Sequence, residues 1–367
     1  MKILHLMADG SAAGGAEHVL GLAKAQIASG LEPLVATQSP SRLAQDLHNV
    51  HIQTIPLNIM GNRWNPFNLL QLANTVAQTS PDIVHLHGTR AAFYASFFAK
   101  RWQNQCALIY TIHGLALRQK THPLKMGLLK AAEYLACKGA TQVISVAQDD
   151  LRLLDARGYL KREKGHHIHN ALELERFSPR SEDASKRPPQ WPQSQFMIGT
   201  VARLVPQKAL HIAIEASALL TDTHLLIIGD GPLRTQLETL AKKLNAPVTF
   251  LGEQSQVETL LPHLDLFVLS SKWEGEPIAL LEAIASGLPI VATDNSGAHE
   301  ILTSSDSGVL VEMDNPAALA KEIMRLLRAP QRRHQLAEKG LKWISTRSYK
   351  NLAKAVYEVY LQALKSI

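Results

Sequence analysis

The run EGEPIALLE at residues 274–282 holds two carboxylates eight positions apart, where a glycine-containing loop enters an apolar helix. Eight residues is a little over two helical turns, so the spacing predicts that Glu274 and Glu282 face one side of the helix entrance. Between them, the N–H groups of Gly275, Glu276, Ile278, Ala279 and Leu280 are expected at the positive end of the helix, where anions are stabilised. N–H groups suit phosphates and carboxylates suit hydroxyls, and a nucleotide sugar carries both. The plainer alternative is that Glu274 only caps the helix and Glu282 is a solvated surface residue.

The surroundings favour a site. Residues 264–269, LDLFVL, read as a buried strand, and Ser270-Ser271-Lys272-Trp273 carry the chain from its end to Glu274. Open α/β sheets bind ligands at the carboxyl ends of their strands. A second strand, 196–201, leads into ARLVPQK, which sets Arg203 and Lys208 five residues apart in a loop. A guanidinium fork and a compact ammonium there would suit the two phosphates of a leaving diphosphate, although exposed loop cations are common. Gly229-Asp230-Gly231-Pro232 by itself marks only a turn after a strand.

In the first half, strand 2–7 runs into a stretch of small residues, GSAAGGAEH at 10–18, and a helix predicted over Val19–Ala28. Gly14-Gly15 permits close approach of a ligand to the backbone, but the pattern is not the G-x-G-x-x-G of dinucleotide folds. His85 and His87 share one face of a strand, which points to acceptor contact or to packing rather than to metal, since no third ligand is spaced to join them. His166, His167 and His169 cluster without an assignable role.

The elements that must hold these residues form two series. Strands are predicted near 2–7, 33–37, 52–56, 82–87, 107–112 and 142–146, then near 196–201, 224–229, 247–251, 265–270, 289–293 and 308–311, with helical patterns between them. The polar, proline-rich stretch 178–192 separates the series, so the expected domains are 1–178 and 179–348, with a last helix from Tyr349 to Leu364 in the segment 349–367. At 367 residues two domains are the natural prior. No apolar run approaches the roughly 18–20 residues of a membrane span. The first ten residues read as a strand rather than a signal peptide, and Cys106 and Cys137 as reduced, so a cytoplasmic protein is expected. Charge is uneven: residues 1–178 carry 18 Lys and Arg against 12 Asp and Glu, whereas 179–367 carry 20 of each. A basic first half fits an anionic partner or simply a solvated surface.

Seven motifs in order, GGAEH (14–18), DIVHLH (82–87), YTIHG (110–114), HNALELERFSP (169–179), GTVARLVPQKA (199–209), GDGPL (229–233) and EGEPIALLEA (274–283), resemble family 4 of the retaining glycosyltransferases. The resemblance implies a GT-B fold: two Rossmann-like α/β domains facing across a cleft, the C-terminal helix crossing back to the first. It implies an acceptor in the first domain, a nucleotide-sugar donor in the second, and hexosyl transfer that retains anomeric configuration without a metal or other cofactor. Residues matching Arg203 and Lys208 stabilise the diphosphate, the match of Glu282 holds the ribose hydroxyls, and the match of Glu274 touches the donor sugar beside that of His113. Donor contacts are further expected from Gly14, Gly15, Gly229, Gly252, Gly275, Glu276, Pro277, Ile278 and Ala279, and acceptor contacts from Glu17, His85, His87 and Asn170.

Departures from the family pattern are Asn170-Ala171 for Asn-Gly, Lys208-Ala209 for Lys-Gly, and Pro277, which removes an N–H that a common glycine would offer. No nucleophile paired with an acid is apparent for a double displacement, so front-face transfer is expected, the departing phosphate helping to deprotonate the acceptor hydroxyl. The acceptor class is a glycan or lipid-linked glycan of cell-surface polysaccharide or lipopolysaccharide, not nucleic acid. An epimerase or hydrolase of the same fold, or a silent assembly subunit, are the competing readings. Residues 115–139 interleave Arg118, Lys120, Lys125, Lys130 and Lys138 with Leu117, Leu124, Met126, Leu128, Leu129 and Leu135. That pattern fits either peripheral attachment to the inner face of an anionic membrane or leucines packed into the core.

Overall fold

The computed structural model describes residues 1–11, 14–59, 66–102, 104–118, 122–179, 187–188, 191–192 and 194–366. The chain divides into two compact units, Met1–Ala171 with Ser348–Ile367, and Leu172–Arg347. The expected division after residue 178 therefore moves to Ala171/Leu172. Leu172 and Phe177 are buried with Trp191, Phe267 and Leu281 in a core of the second unit, and burying those two side chains outweighs the compositional cue of the prolines that follow. Residues 180–186 and 189–190 of the proline-rich stretch lie outside the described residues.

The first unit is built on β1 (Lys2–Met7), β2 (Glu32–Thr37), β3 (Thr54–Pro56), β4 (Ile83–His87), β5 (Ala107–Ile112), β6 (Gln142–Ser145) and β7 (Gly165–His167). The strands are parallel and ordered β3-β2-β1-β4-β5-β6-β7. Strands β4, β5 and β6 are buried along their whole length, as parallel strands covered on both faces must be. The sequence gives little sign of β7: Gly-His-His is half-buried at the sheet edge and is held by backbone pairing to β6.

The helix Gly14–Ala28 begins five residues before the expected Val19, because the glycines join its first turn. The last helix, Tyr349–Leu364, buries Leu352, Val356, Val359 and Tyr360 against Ile3, Leu22, Ile83 and Ile109 of the same unit. Its contact with Gly14–Ala28 depends on Gly21: a Cβ there would lie 2.1 Å from Cζ of Tyr349. The Tyr349 hydroxyl donates to the Glu17 carbonyl at 3.1 Å.

The second unit repeats the plan with β8 (Phe196–Val201), β9 (Thr223–Ile228), β10 (Val248–Gly252), β11 (Leu266–Leu269), β12 (Ile290–Thr293) and β13 (Gly308–Val311). Its parallel order is β10-β9-β8-β11-β12-β13. In both sheets the direction of strand succession reverses once, between β1 and β4 and between β8 and β11. Such reversals open a crevice at the carboxyl ends of the strands. Among the described residues no helix is long and apolar enough to cross a membrane.

Candidate active site

At the reversal in the second sheet, the loops leaving β8 and β11 meet. Lys208 Nζ donates to Glu274 Oε1 at 2.5 Å, and Gln207 Nε2 donates to the Trp273 carbonyl at 2.8 Å and to Glu274 Oε2 at 3.4 Å. Gln207 thus joins the site without having been a sequence candidate, and its position beside Lys208 is its only signal in the sequence. Glu274 is buried and Lys208 half-buried, so the capping alternative for Glu274 gives way to a tertiary ion pair. Ser270 Oγ donates to the Lys208 carbonyl at 2.9 Å, and the Lys272 N–H to the Gln207 carbonyl at 2.9 Å. Ala209, at the family's glycine position, takes the left-handed conformation at φ 44°, which costs roughly 1–2 kcal/mol for a residue with a Cβ.

Arg203 is exposed on the strip 202–204, which the turn after β9 clamps. The Ala202 N–H donates to the Ile228 carbonyl at 2.9 Å, the Leu204 N–H to the Asp230 carbonyl at 3.0 Å and the Leu233 N–H to the Leu204 carbonyl at 3.1 Å. This clamp explains the glycines. A Cβ on Gly229 would meet the Ala202 carbonyl oxygen at 2.1 Å, and one on Gly231 would meet Leu204 backbone atoms at 2.7 Å. Gly229 also donates its N–H to the Gly252 carbonyl at 2.7 Å, which ties the end of β10 to the same turn.

The segment Gly275–Pro277 is buried and braced by the helix Ser296–Ser305. A Cβ on Gly297 would lie 2.2 Å from the Gly275 carbonyl oxygen, so this helix start presses on the loop. Asn295 caps that helix and donates Nδ2–H to the Ser271 carbonyl at 3.1 Å. Two expectations need correction. The Glu276 carboxylate faces Arg347 Nη1 at 3.6 Å inside the unit rather than standing open, because burial requires a counter-charge. Of the helix N–H groups expected to be open, that of Leu280 donates to the Pro277 carbonyl at 3.0 Å. Pro277 is the N-cap of the helix Ile278–Ala285, with Ile278 and Ala279 half-buried in its first turn. Glu282 lies further along and is buried, not a solvated surface group.

At the reversal in the first sheet, five histidines gather: His5 on β1, His85 and His87 on β4, His18 on the helix Gly14–Ala28, and His113 just after β5. His113 Nε2 and His87 Nδ1 are 3.0 Å apart, as are His87 Nε2 and His5 Nδ1. His5 Nε2 reaches Gln26 Oε1 at 2.8 Å, and Gln26 Nε2 donates to the Tyr360 hydroxyl at 3.1 Å. His85 is fully enclosed, with Nδ1 at 2.6 Å from the Tyr360 hydroxyl and Nε2 at 2.6 Å from Thr111 Oγ1. For His85 and the buried His87 the packing alternative therefore replaces acceptor contact. Burial lowers the pKa of His5 and His18 to about 4 and holds those of His85, His87 and His113 well below the ordinary value, neighbouring histidines adding to the shift for each of them except His18. The roles of His5, His18 and Gln26 went unread in the sequence, though the register pairing His5 with His85 follows from aligning the two strands.

The other first-unit candidates divide. Gly15 packs against His113, where a Cβ would be 3.6 Å from Cδ2 of the ring. Gly14 and Glu17 are half-buried in the same helix, and Asn170 is buried with Oδ1 3.0 Å from His18 Nδ1. The basic segment divides too. Leu117 is core and Arg118 pairs with Asp150 at 2.6 Å, while Met126 and Leu129 pack partly against the core. Leu124, Leu128 and Leu135 are exposed on one face of the helix Pro123–Gly139, beside exposed Lys125, Lys130 and Lys138. Lys120 lies outside the described residues.

Comparison with known proteins agrees with this fold. Residues 12–176 match the family model described as Glycosyltransferase Family 4, and residues 181–343 that described as Glycosyl transferases group 1. The Escherichia coli UDP-Gal:alpha-D-GlcNAc-diphosphoundecaprenol alpha-1,3-galactosyltransferase is 26% identical over 270 residues, 71% of this chain and 70% of its own. The lipopolysaccharide core biosynthesis glycosyltransferase LpsE of Rhizobium meliloti is 30% identical over 172 residues, 46% of this chain and 50% of its own. The crystal structure of Anabaena HepE in complex with UDP and glucose superposes with a TM-score of 0.86, covering 98% of each chain at 21% identity.

Proposed function

We propose that this chain, which belongs to glycosyltransferase family 4, moves a sugar from a nucleoside diphosphate donor to a hydroxyl of a lipid-linked or glycan acceptor in cell-surface polysaccharide or lipopolysaccharide assembly. That it is a glycosyltransferase of GT-B fold follows from the family; donor, acceptor and stereochemistry are the reading argued next. The carrying observation is the meeting of Lys208 and Glu274, with Arg203 on the adjoining strip, at the reversal of the second sheet.

Cleavage of the anomeric C–O bond develops negative charge on the departing diphosphate and positive charge on the sugar ring. Arg203, Lys208 and the start of the helix Ile278–Ala285 answer the first charge, a preorganised electrostatic effect that commonly contributes most of the stabilisation. A donor phosphate can replace Glu274 as partner of Lys208, and the freed carboxylate then accepts from a sugar hydroxyl. With two side-chain cations serving the diphosphate, the reaction needs no metal there. Retention by front-face attack, the leaving phosphate taking the acceptor proton, fits a site without a paired carboxylate nucleophile and acid. The acceptor class rests on the relatives' activities, one on a diphosphoundecaprenol-linked sugar and one in lipopolysaccharide core biosynthesis. The exposed leucines and lysines of the helix Pro123–Gly139 would hold the chain weakly at an anionic membrane near such an acceptor, each lysine contributing about 1 kcal/mol at most.

The deciding experiment incubates the purified chain with nucleoside diphosphate sugars and lipid-linked acceptors in the presence of a chelator. NMR then reads the anomeric configuration of the product. Transfer with retention is expected. Donor hydrolysis or epimerisation without transfer would overturn the proposal, and an inverted product or full dependence on added magnesium would remove the stereochemical or metal-free part of it.

A further inference from the structure

We propose that His18, His87 and His113 form a binding site for a divalent transition-metal ion of the zinc class in the first unit. Each ring offers one nitrogen, and the three atoms lie within 4.8 Å of one another. The ring centroids are 4.7 Å apart for His18 and His113, 5.3 Å for His87 and His113, and 5.9 Å for His18 and His87. Imidazoles on a tetrahedral ion at about 2.0–2.1 Å have centroids roughly 5 Å apart, so these rings need only small shifts to close on one.

The hydrogen bonds around the three rings leave the lone pairs a metal requires. Gln26 uses its Nε2–H groups toward the Tyr360 hydroxyl, so its Oε1 accepts from His5 Nε2. His5 Nδ1 is then an acceptor, His87 donates Nε2–H to it, and His87 Nδ1 is left as a lone pair. His18 donates Nδ1–H to Asn170 Oδ1, which leaves Nε2 as its lone pair. That Nε2 is buried and has no hydrogen-bond partner among the described residues. A buried acceptor facing no donor has lost its hydration without replacement, and a cation is its natural complement. His113 now donates from Nε2 to His87; moving that proton to Nδ1 frees Nε2 as the third ligand. Asn170 and His5 would serve as the outer partners that orient metal-bound imidazoles.

The alternative group His5, His85 and His87 is equally close but cannot serve, because both nitrogens of His85 are already held by Tyr360 and Thr111. Burial favours the neutral, ligating form of all three proposed ligands. A donor set of neutral imidazoles without a carboxylate selects zinc, copper, nickel or cobalt over magnesium or calcium. All three ligands belong to the first unit.

The full chain, stripped of metal with a chelator, is titrated with zinc chloride by calorimetry and with cobalt(II) followed by visible absorption. One ion per chain is expected, with the intense visible bands of tetrahedral cobalt. His18→Gln and His113→Gln should each weaken binding by more than about 100-fold, and Asn170→Ala, which keeps all three ligands, by about 10–100-fold. Circular dichroism of each metal-free variant checks that it is folded, and the half-buried His113 gives a variant that spares the core. Absence of a stoichiometric site in the unaltered chain, or unchanged affinity in folded His113→Gln or His18→Gln, would overturn the proposal whatever the chain transfers.

Discussion

Lys208 and Glu274, 66 positions apart in sequence, meet at 2.5 Å where the loops leaving β8 and β11 converge. Each side chain is the other's counter-ion, and the carboxylate is buried. Removing one partner therefore does two things at once: it takes a group from the donor site and leaves a charge with little solvent. Lys208→Ala is expected to lower kcat/KM by about 100- to 1000-fold, on the order of 3 kcal/mol of transition-state stabilisation. It should also destabilise the second unit by about 1–3 kcal/mol, less than for a fully buried pair because Lys208 keeps some exposure. The double change Lys208→Met with Glu274→Gln should recover most of that stability and none of the activity. Denaturant unfolding beside steady-state kinetics checks both, and parallel recovery of the two would contradict the assignment.

Gly21→Ala should destabilise the first unit, because the added methyl falls 2.1 Å from the Tyr349 ring. Overpacking of this kind costs about 1–3 kcal/mol, only partly offset by the better helix propensity of alanine, worth about 1 kcal/mol. Shrinking the ring in Gly21→Ala with Tyr349→Ala should reduce the incremental effect of the methyl. An unchanged Tm for the single variant would mean that the two helices do not pack in this way.

Acid should loosen the first unit through its histidines. His5 and His18 titrate at about 4 in the fold against 6.5 when exposed, and His85, His87 and His113 are shifted the same way. The unfolded chain then binds more protons than the native one below pH 6.5, so their contribution to stability is present above that pH and lost as pH falls toward about 4. Glu133 and Asp150, raised by burial, act in the opposite sense, but they are two groups against five. Tm should fall steadily between pH 6.5 and 4.5, with the imidazole NMR signals of the buried rings remaining neutral at pH 5.5. Protonated signals at that pH would refute the account.

Vesicle binding should depend on the helix Pro123–Gly139. Its exposed Leu124, Leu128 and Leu135 are flanked by Lys125 and, on the other side, Lys130 and Lys138, so sedimentation with anionic liposomes at low salt should exceed that with neutral ones. Changing Lys125, Lys130 and Lys138 to glutamine should remove about 1 kcal/mol per residue at most. Equal sedimentation with both vesicle types, or none with either, rules the attachment out.

The alternation of apolar strands and helical patterns determined the two Rossmann-like units, because period and turn chemistry are local properties of the chain. Twelve expected strands have counterparts in the two sheets, and β7 escaped notice because an edge strand held by backbone pairing needs no apolar side chains. Residue type and distance from a strand end, which can be read in one dimension, likewise named Arg203, Lys208 and Glu274, and the family resemblance named His113. Which groups touch which was decided only in three dimensions. The Lys208–Glu274 pair, the turn of Glu276 toward Arg347 and the enclosure of His85 by Tyr360 and Thr111 join residues far apart in the chain. The same holds for the division at Ala171 and for the lone pair of His18, because burial and counter-charge are properties of a packed neighbourhood that no single segment carries.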